Sequence, residues 1–328
     1  MVSYVIRRFL FMIPTLVVIS VISFIIIQLP PGDFLSTYIA QLEQEGVIVA
    51  EHQVEVMRRQ YGLDRPAHEQ YFAWVRGILL RGDFGRSFDR ARPVRDLIGE
   101  RIGLTMLVAV SSMLLAWAIS LPIGVISAVK QYSRLDHVFT FFGFLGLALP
   151  NFILALVIMY LSNRWFGTSV GGLFSVEYRD APWSLDRVLD LLRHIWIPMF
   201  IIGTAGTAAL IRVVRANLLD ELRKPYVETA RAKGVRKWRL IVKYPVRVAL
   251  NPFFSSVAFV LPMMIGSEII VGVVLNLPTT GPLLLRSLIS QDMYLAGSFV
   301  LLLATFTVVG VFISDMILAI ADPRIRLG

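Results

Sequence analysis

The chain has 328 residues, with 32 Lys or Arg against 23 Asp or Glu and a formal net charge of +9. Hydrophobic residues make up 56% and charged residues 17%, where soluble domains carry about 25% charged residues; with a mean hydropathy of +0.69, this argues against a water-soluble fold. Cysteine is absent, which removes disulfides, thiolate metal sites and cysteine nucleophiles.

A helix needs about 20 mainly apolar residues to cross a bilayer. Six runs meet that need, at about 9–29, 103–129, 138–162, 195–214, 252–275 and 298–320. Arg7 and Arg8 before the first run resemble a signal-peptide flank. The run is too long for a signal, however, and no small-residue cleavage site follows, so it reads as a retained helix. Prolines 14, 122, 150, 198 and 262 fall inside the runs, which membrane helices tolerate. The expected fold is all-α, a polytopic membrane bundle of six transmembrane helices with residues 1–328 as one domain.

Six spans place both termini on one side, and the basic residues say which. Arg7, Arg8, Lys130, Arg134, Arg324 and Arg326 share that side with a dense group between spans 4 and 5, from Arg212 and Arg215 through to Arg247. The basic residues of segment 30–102 are offset by acidic ones, and the positive-inside rule discounts long translocated loops. Both termini and the loop 216–247 are therefore expected to be cytoplasmic.

Segment 30–102 is the first outer segment. In it Asp64 is expected to cap a helix with Pro66 in its first turn. Tyr71, Trp74, Val75, Ile78 and Leu79 then form one apolar stripe at helical spacing. That stripe suits a cap packed on the bundle, a helix at the membrane surface, or a docking face for an outside partner. The glycines of GDFGRSF (82–88) mark a loop without phosphate-binding spacing. Residues 163–194 form a second outer loop, of unassigned contact.

The chain has no GxxxxGK[ST], GxSxG, HExxH or EF-hand spacing. It is therefore not expected to bind ATP through a phosphate loop, hold a cofactor or metal, or act as an enzyme. Two acids lie within the spans, Glu268 and Asp315. Such groups tend to face the bundle interior or water. Glu268, beside the small residues Gly266 and Ser267, suits either a lining of the solute path together with Ser267 or a helix–helix polar clamp. Asp315 suits a pair with a basic loop residue.

The stretch PYVETARAKGVRKW (225–238) is polar and basic between apolar runs. A nucleic-acid patch does not suit an inner loop that lacks aromatic platforms. An anchor on anionic lipid accounts for Arg231, Lys233, Arg236, Lys237 and Arg239, but leaves the small residues and the glycine without a role. Pro225 opens a helix, Tyr226 to Lys233 favour one, and Gly234 ends it. With Ala230 and Ala232 keeping part of its surface thin, the segment reads as a short helix offered to a cytoplasmic protein; an internal gate is a further reading.

Glu228-Thr229-Ala230, with Gly234 six residues after the glutamate, resembles the EAA loop of ABC-importer membrane subunits. Where that family has I-x-L-P, this chain has Tyr244-Pro245-Val246-Arg247, a departure found in the dipeptide/oligopeptide/nickel permease branch. RRFLFMIPTL, LPPGDF (29–34), YGLDRPAHEQYFAW (61–74), GDFGRSF, PVRDLIGERI (93–102), RLDH (134–137) and DPRIR (322–326) are similar to that branch in order. LPTTGPLLL (277–285) stands in place of its PGLG-like turn.

The resemblance, to the first of the two permease subunits, implies a type I importer permease fold in a bacterial inner membrane. It implies a second homologous permease, two cytoplasmic ABC ATPases and an extracytoplasmic solute-binding protein as partners, besides membrane lipid, and no nucleic acid. Tyr226, Glu228, Thr229, Ala230, Ala232 and Gly234 would form the ATPase-coupling site. The solutes implied are di- or oligopeptides, with oligosaccharides, opines or nickel as alternatives. A stand-alone channel or ion-driven carrier is the rival of another class.

Overall fold

The computed structural model describes residues 2–29, 34–44, 51–60, 64–167, 170–251 and 257–321. DPRIR (322–326), most of LPPGDF and the start of YGLDRPAHEQYFAW lie outside the described residues. Among those described, all regular structure is helical apart from one isolated bridge between Arg86 and Pro93. The chain divides into two compact units, Met1–Phe9 with Thr105–Pro278 and Thr307–Gly328, and Leu10–Leu104 with Thr279–Phe306.

The first unit is built on long apolar helices. Helix α1 (Val2–Gln28) supplies its first residues, and α5 (Val94–Val129) runs into it as a 36-residue helix. At the α-helical rise α5 is about 54 Å long, longer than a bilayer requires, so the polar segment PVRDLIGERI joins the expected span in one helix. The span expected at 138–162 is instead two helices, α6 (Arg134–Ala148) and α7 (Asn151–Phe166), bent by 98°. Pro150 has no N–H to continue the ladder, and it pushes Leu149 into an extended conformation with φ −92° and ψ 116°. Ser133 caps α6 by accepting from the Asp136 N–H at 3.3 Å.

Helix α8 (Leu185–Leu222) extends well beyond the expected 195–214 at both ends. Its arms meet at 52° near Ala205. Thr204 Oγ1 donates to the Phe200 carbonyl at 2.6 Å and Thr207 Oγ1 to that of Gly203 at 2.8 Å, a back-bonding that bends helices. Three short helices follow, α9 (Pro225–Ala232), α10 (Lys237–Lys243) and α11 (Pro245–Ala249), and then α12 (Val257–Val274). Helix α14 (Met293–Ala321) returns to the unit, where Asp315 pairs with Arg8 at 3.2 Å rather than with a loop residue.

The outer loop at 163–194 has its own anchors within this unit. Ser175 donates through its hydroxyl and its N–H to the two oxygens of Asp190, at 2.6 and 2.7 Å. Arg187 lies over the rings of Phe174 and Trp183 at 4.7 and 4.6 Å. The Gly172 N–H reaches the Leu275 carbonyl at 2.7 Å. The loop is thereby tied to the start of α8 and the end of α12.

The second unit contains α2 (Phe34–Gln44), α3 (Glu51–Gln60), α4 (Ala67–Arg81) and α13 (Thr280–Ile289). Helix α4 begins after Pro66, which occupies the cap position without a side-chain bond, so Asp64 is not its cap. Trp74 is buried against Phe24 of α1, and Tyr71 hydrogen-bonds Ser20 at 2.8 Å. Leu79 is exposed, so the apolar stripe packs through its first turns only. Loop 82–88 is pinned where Ser87 Oγ and the Asp89 N–H donate to the buried Asp292, at 2.5 and 3.2 Å. Arg286 of α13 holds Asp89 at 2.9 Å.

Among the described residues three helices, α1, α5 and α14, are each long and apolar enough to cross a membrane, and the number reaches five only if each of the two bent pairs counts as one span. Helix α12 is shorter, with 252–256 of the expected fifth span outside the described residues. Many large apolar side chains on α1 and α6 are exposed, among them Phe9, Phe11, Phe141 and Phe142. In an apolar solvent that exposure carries no hydrophobic cost.

Candidate functional site

Helix α9 is specified at both ends. Pro225 stands at its first position, where a missing N–H costs nothing. Glu228 lies in its first turn, favourably placed against the helix dipole. At its end Gly234 adopts φ +74°. The Gly234 N–H then bonds the Arg231 carbonyl at 3.0 Å and the Val235 N–H the Ala230 carbonyl at 3.3 Å, a complete Schellman closure. A Cβ added at Gly234 would meet no atom within 4 Å, so the requirement for glycine is conformational.

The helix is two-faced. Val227 and Ala230 are buried in a cluster with Leu240 and Ile241 of α10, against Val129, Leu222, Val235, Tyr244 and Val246. A second cluster of Ala128, Leu218 and Ala249 shares Val129, Leu222 and Val246 with the first. The short helix therefore rests on an apolar platform made by α10, α11 and the ends of α5 and α8. Tyr226, Glu228, Thr229, Arg231 and Ala232 are exposed.

The expected site residues thus divide by role. Ala230 does not thin the outer surface; its small side chain faces inward and lets α9 sit close on Leu240 and Ile241. Tyr226 donates to Glu221 Oε2 at 2.6 Å, and partial desolvation of its phenol, together with that bond and the Glu221 charge, pushes the phenol above the ordinary range. Thr229 Oγ1 is satisfied by the Pro225 carbonyl at 2.9 Å. Among the described residues Glu228 has no hydrogen-bond or ion-pair partner, so its carboxylate is available to another molecule.

Ser267 and Glu268 lie apart from this platform, on α12. Glu268 is fully buried within the chain while Ser267 is partly accessible. A cavity of about 250 Å³ opens between α5, α6 and α8, lined by Phe142, Gly143, Gly146, Gly203, Thr204 and Thr207 among others, and neither Ser267 nor Glu268 borders it. Close helix approach occurs at Gly206, where an added Cβ would stand 2.5 Å from Met264 Cε, whereas Gly266 faces open space.

Sequence reasoning missed Val227, Leu240 and Ile241; the apolar pair inside the basic run KWRLIVK was the available signal. It also assigned no role to Asp136, which binds Ser127, Tyr132 and Arg215 beside the platform.

Comparison with known proteins identifies the family. Residues 120–327 match the family described as binding-protein-dependent transport system inner membrane component, and residues 1–109 match its N-terminal counterpart. The chain is 36% identical to the oligopeptide transport system permease protein AppB of Bacillus subtilis, over 99% of this chain and all of that one. It is 30% identical to the glutathione transport system permease protein GsiC of Salmonella choleraesuis, over 99% of both chains. Identity to the dipeptide transport system permease protein DppB of Escherichia coli is 28%, again over 99% of both. With these matches over nearly its full length, the chain belongs to the family of binding-protein-dependent transport system inner membrane components, the non-catalytic permeases of ABC importers.

Proposed function

We propose that this chain is one of two homologous permeases of a peptide importer in a bacterial inner membrane. Residues 1–328 act as a single transmembrane domain of six spans, with both termini and the loop 216–247 in the cytoplasm and segment 30–102 outside. Two ABC ATPases bind from the cytoplasm, one of them seating α9 of this chain, and a solute-binding protein delivers cargo from the other side. The solutes are di- or oligopeptides, a reading supported by the oligopeptide, glutathione and dipeptide systems for which the relatives are named.

The observation that carries the coupling assignment is the division of α9 into a buried and an exposed face. A push on Glu228 and its neighbours is received by a helix whose Val227 and Ala230 are embedded in the platform. It therefore moves the ends of α5 and α8 with it, because a packed cluster shifts as a unit rather than deforming. Ser267 and Glu268 are proposed to serve alternating access from α12, Glu268 as a buried polar clamp whose partners change between states.

The test is a reconstituted complex with and without Glu228→Lys. We expect the variant to insert in the membrane at the wild-type level while peptide uptake and binding-protein-stimulated ATP hydrolysis are lost. Normal uptake by the variant would overturn the coupling assignment. Peptide flux through this chain alone in liposomes, with no ATPase present, would instead identify a channel or ion-driven carrier.

A further inference from the structure

We propose that Asp136 and Arg215 form a positioning latch that makes the start of α6 move with the coupling platform; this rests on the coupling reading of α9. The carboxylate of Asp136 gathers donors from three separate parts of the chain. Arg215 of α8 donates through Nε to Oδ1 at 3.1 Å and through Nη2 to Oδ2 at 2.9 Å. Ser127, in the last turn of α5, donates to Oδ1, and the Tyr132 N–H donates to Oδ2 at 2.9 Å. Asp136 is 3% exposed.

The latch and the platform are two aspects of the same helix ends. On α5, Ser127 holds the latch while the next two residues, Ala128 and Val129, belong to the apolar clusters beneath α9. On α8, Arg215 holds the latch and Leu218 and Leu222, one and two turns later, belong to those clusters. Between α5 and α6 lies a tight turn in which Tyr132, a non-glycine residue, sits at φ +61°. Such a conformation persists only where its surroundings over-determine it, and it collects at switch regions. Here the N–H of that same residue is held by Asp136.

Stability is a poor reason for this arrangement, since a buried ion pair is often no better than an apolar pair of the same volume. What the two-pronged contact supplies is direction, because a guanidinium and a carboxylate joined by two parallel bonds cannot swivel. Helix α6 is the element that needs such a joint. It lies against α8, with Gly146 at Thr204, and breaks at Pro150 into α7. At the start of α6, the latch adds a directional polar joint to the four-residue turn and to the apolar packing of α6 on α8.

The assembled complex, purified with its partner subunits, tests this through the ratio of peptide transported to ATP hydrolysed. Asp136→Asn and Arg215→Met are each expected to lower that ratio about tenfold, as loss of a charged buried bond would. Arg215→Lys, which keeps the charge and loses the fork, should stay closer to those variants than to wild type. A purely structural role would lower the yield of complex and leave the ratio untouched, so a wild-type ratio in assembled Asp136→Asn or Arg215→Met overturns the latch. If neither variant assembles, Ser127→Ala and Arg215→Lys decide, and an unchanged ratio in both overturns it. Glu228→Lys, run in parallel, separates the two ideas. If it leaves coupling intact, the coupling reading falls and takes the latch with it; if it abolishes coupling while the latch variants behave as wild type, the latch alone falls.

Discussion

Replacing Gly234 by alanine isolates one physical cause. The residue holds φ +74°, a region that costs an L side chain about 1–2 kcal/mol. Its added Cβ would meet no atom within 4 Å, so no steric clash adds to that cost. The closure at stake consists of the Gly234 bond to Arg231 at 3.0 Å and the Val235 bond to Ala230 at 3.3 Å. A penalty of that size changes a local opening equilibrium about 5- to 30-fold. Amide hydrogen exchange at positions 234 and 235 should therefore accelerate by about that factor. Gly234→Asn should lie between wild type and alanine, because asparagine tolerates the left-handed region. Gly234→Leu should abolish coupled ATP hydrolysis and uptake, with membrane insertion intact. If alanine exchanges like wild type, or asparagine is worse than alanine, the backbone argument is wrong.

Two further outcomes follow from other parts of the molecule. Leu240→Ala empties the centre of the platform, where Leu240 is 3% exposed, and should cost about 2–5 kcal/mol; it should be read as lost exchange protection throughout α9, and unchanged α9 protection would refute the platform. Burial pushes the Asp292 carboxyl above the usual carboxylate range, against the pull of Ser87, Leu295 and Asp89. With the folded value raised, its contribution to stability is complete below the unfolded value of about 3.9 and is lost as pH rises through the folded value. The melting temperature in detergent should fall as pH rises above about 4, and Asp292→Asn should flatten that slope. An identical slope in the variant would refute the assignment.

The features legible in the sequence were those with local causes. The apolar runs announce membrane helices because a bilayer requires length and hydrophobicity from each segment by itself. Pro225 and Gly234 delimit α9 because a missing N–H and a left-handed φ are properties of single residues. Pro150 was visible as well, but whether a proline is tolerated within a span or breaks it depends on what re-satisfies the freed carbonyls, and only the fold decides that. The same holds for Ala230, whose place on the inner face of α9 depends on where α10 lies. Glu268 is legible as an acid in an apolar run, yet its complete burial is set by the surrounding helices. The pairing of Asp136 with Arg215 joins residues 79 positions apart. No periodicity encodes such a contact, because it exists only once α6 and α8 have packed and α5 has brought Ser127 to the same point.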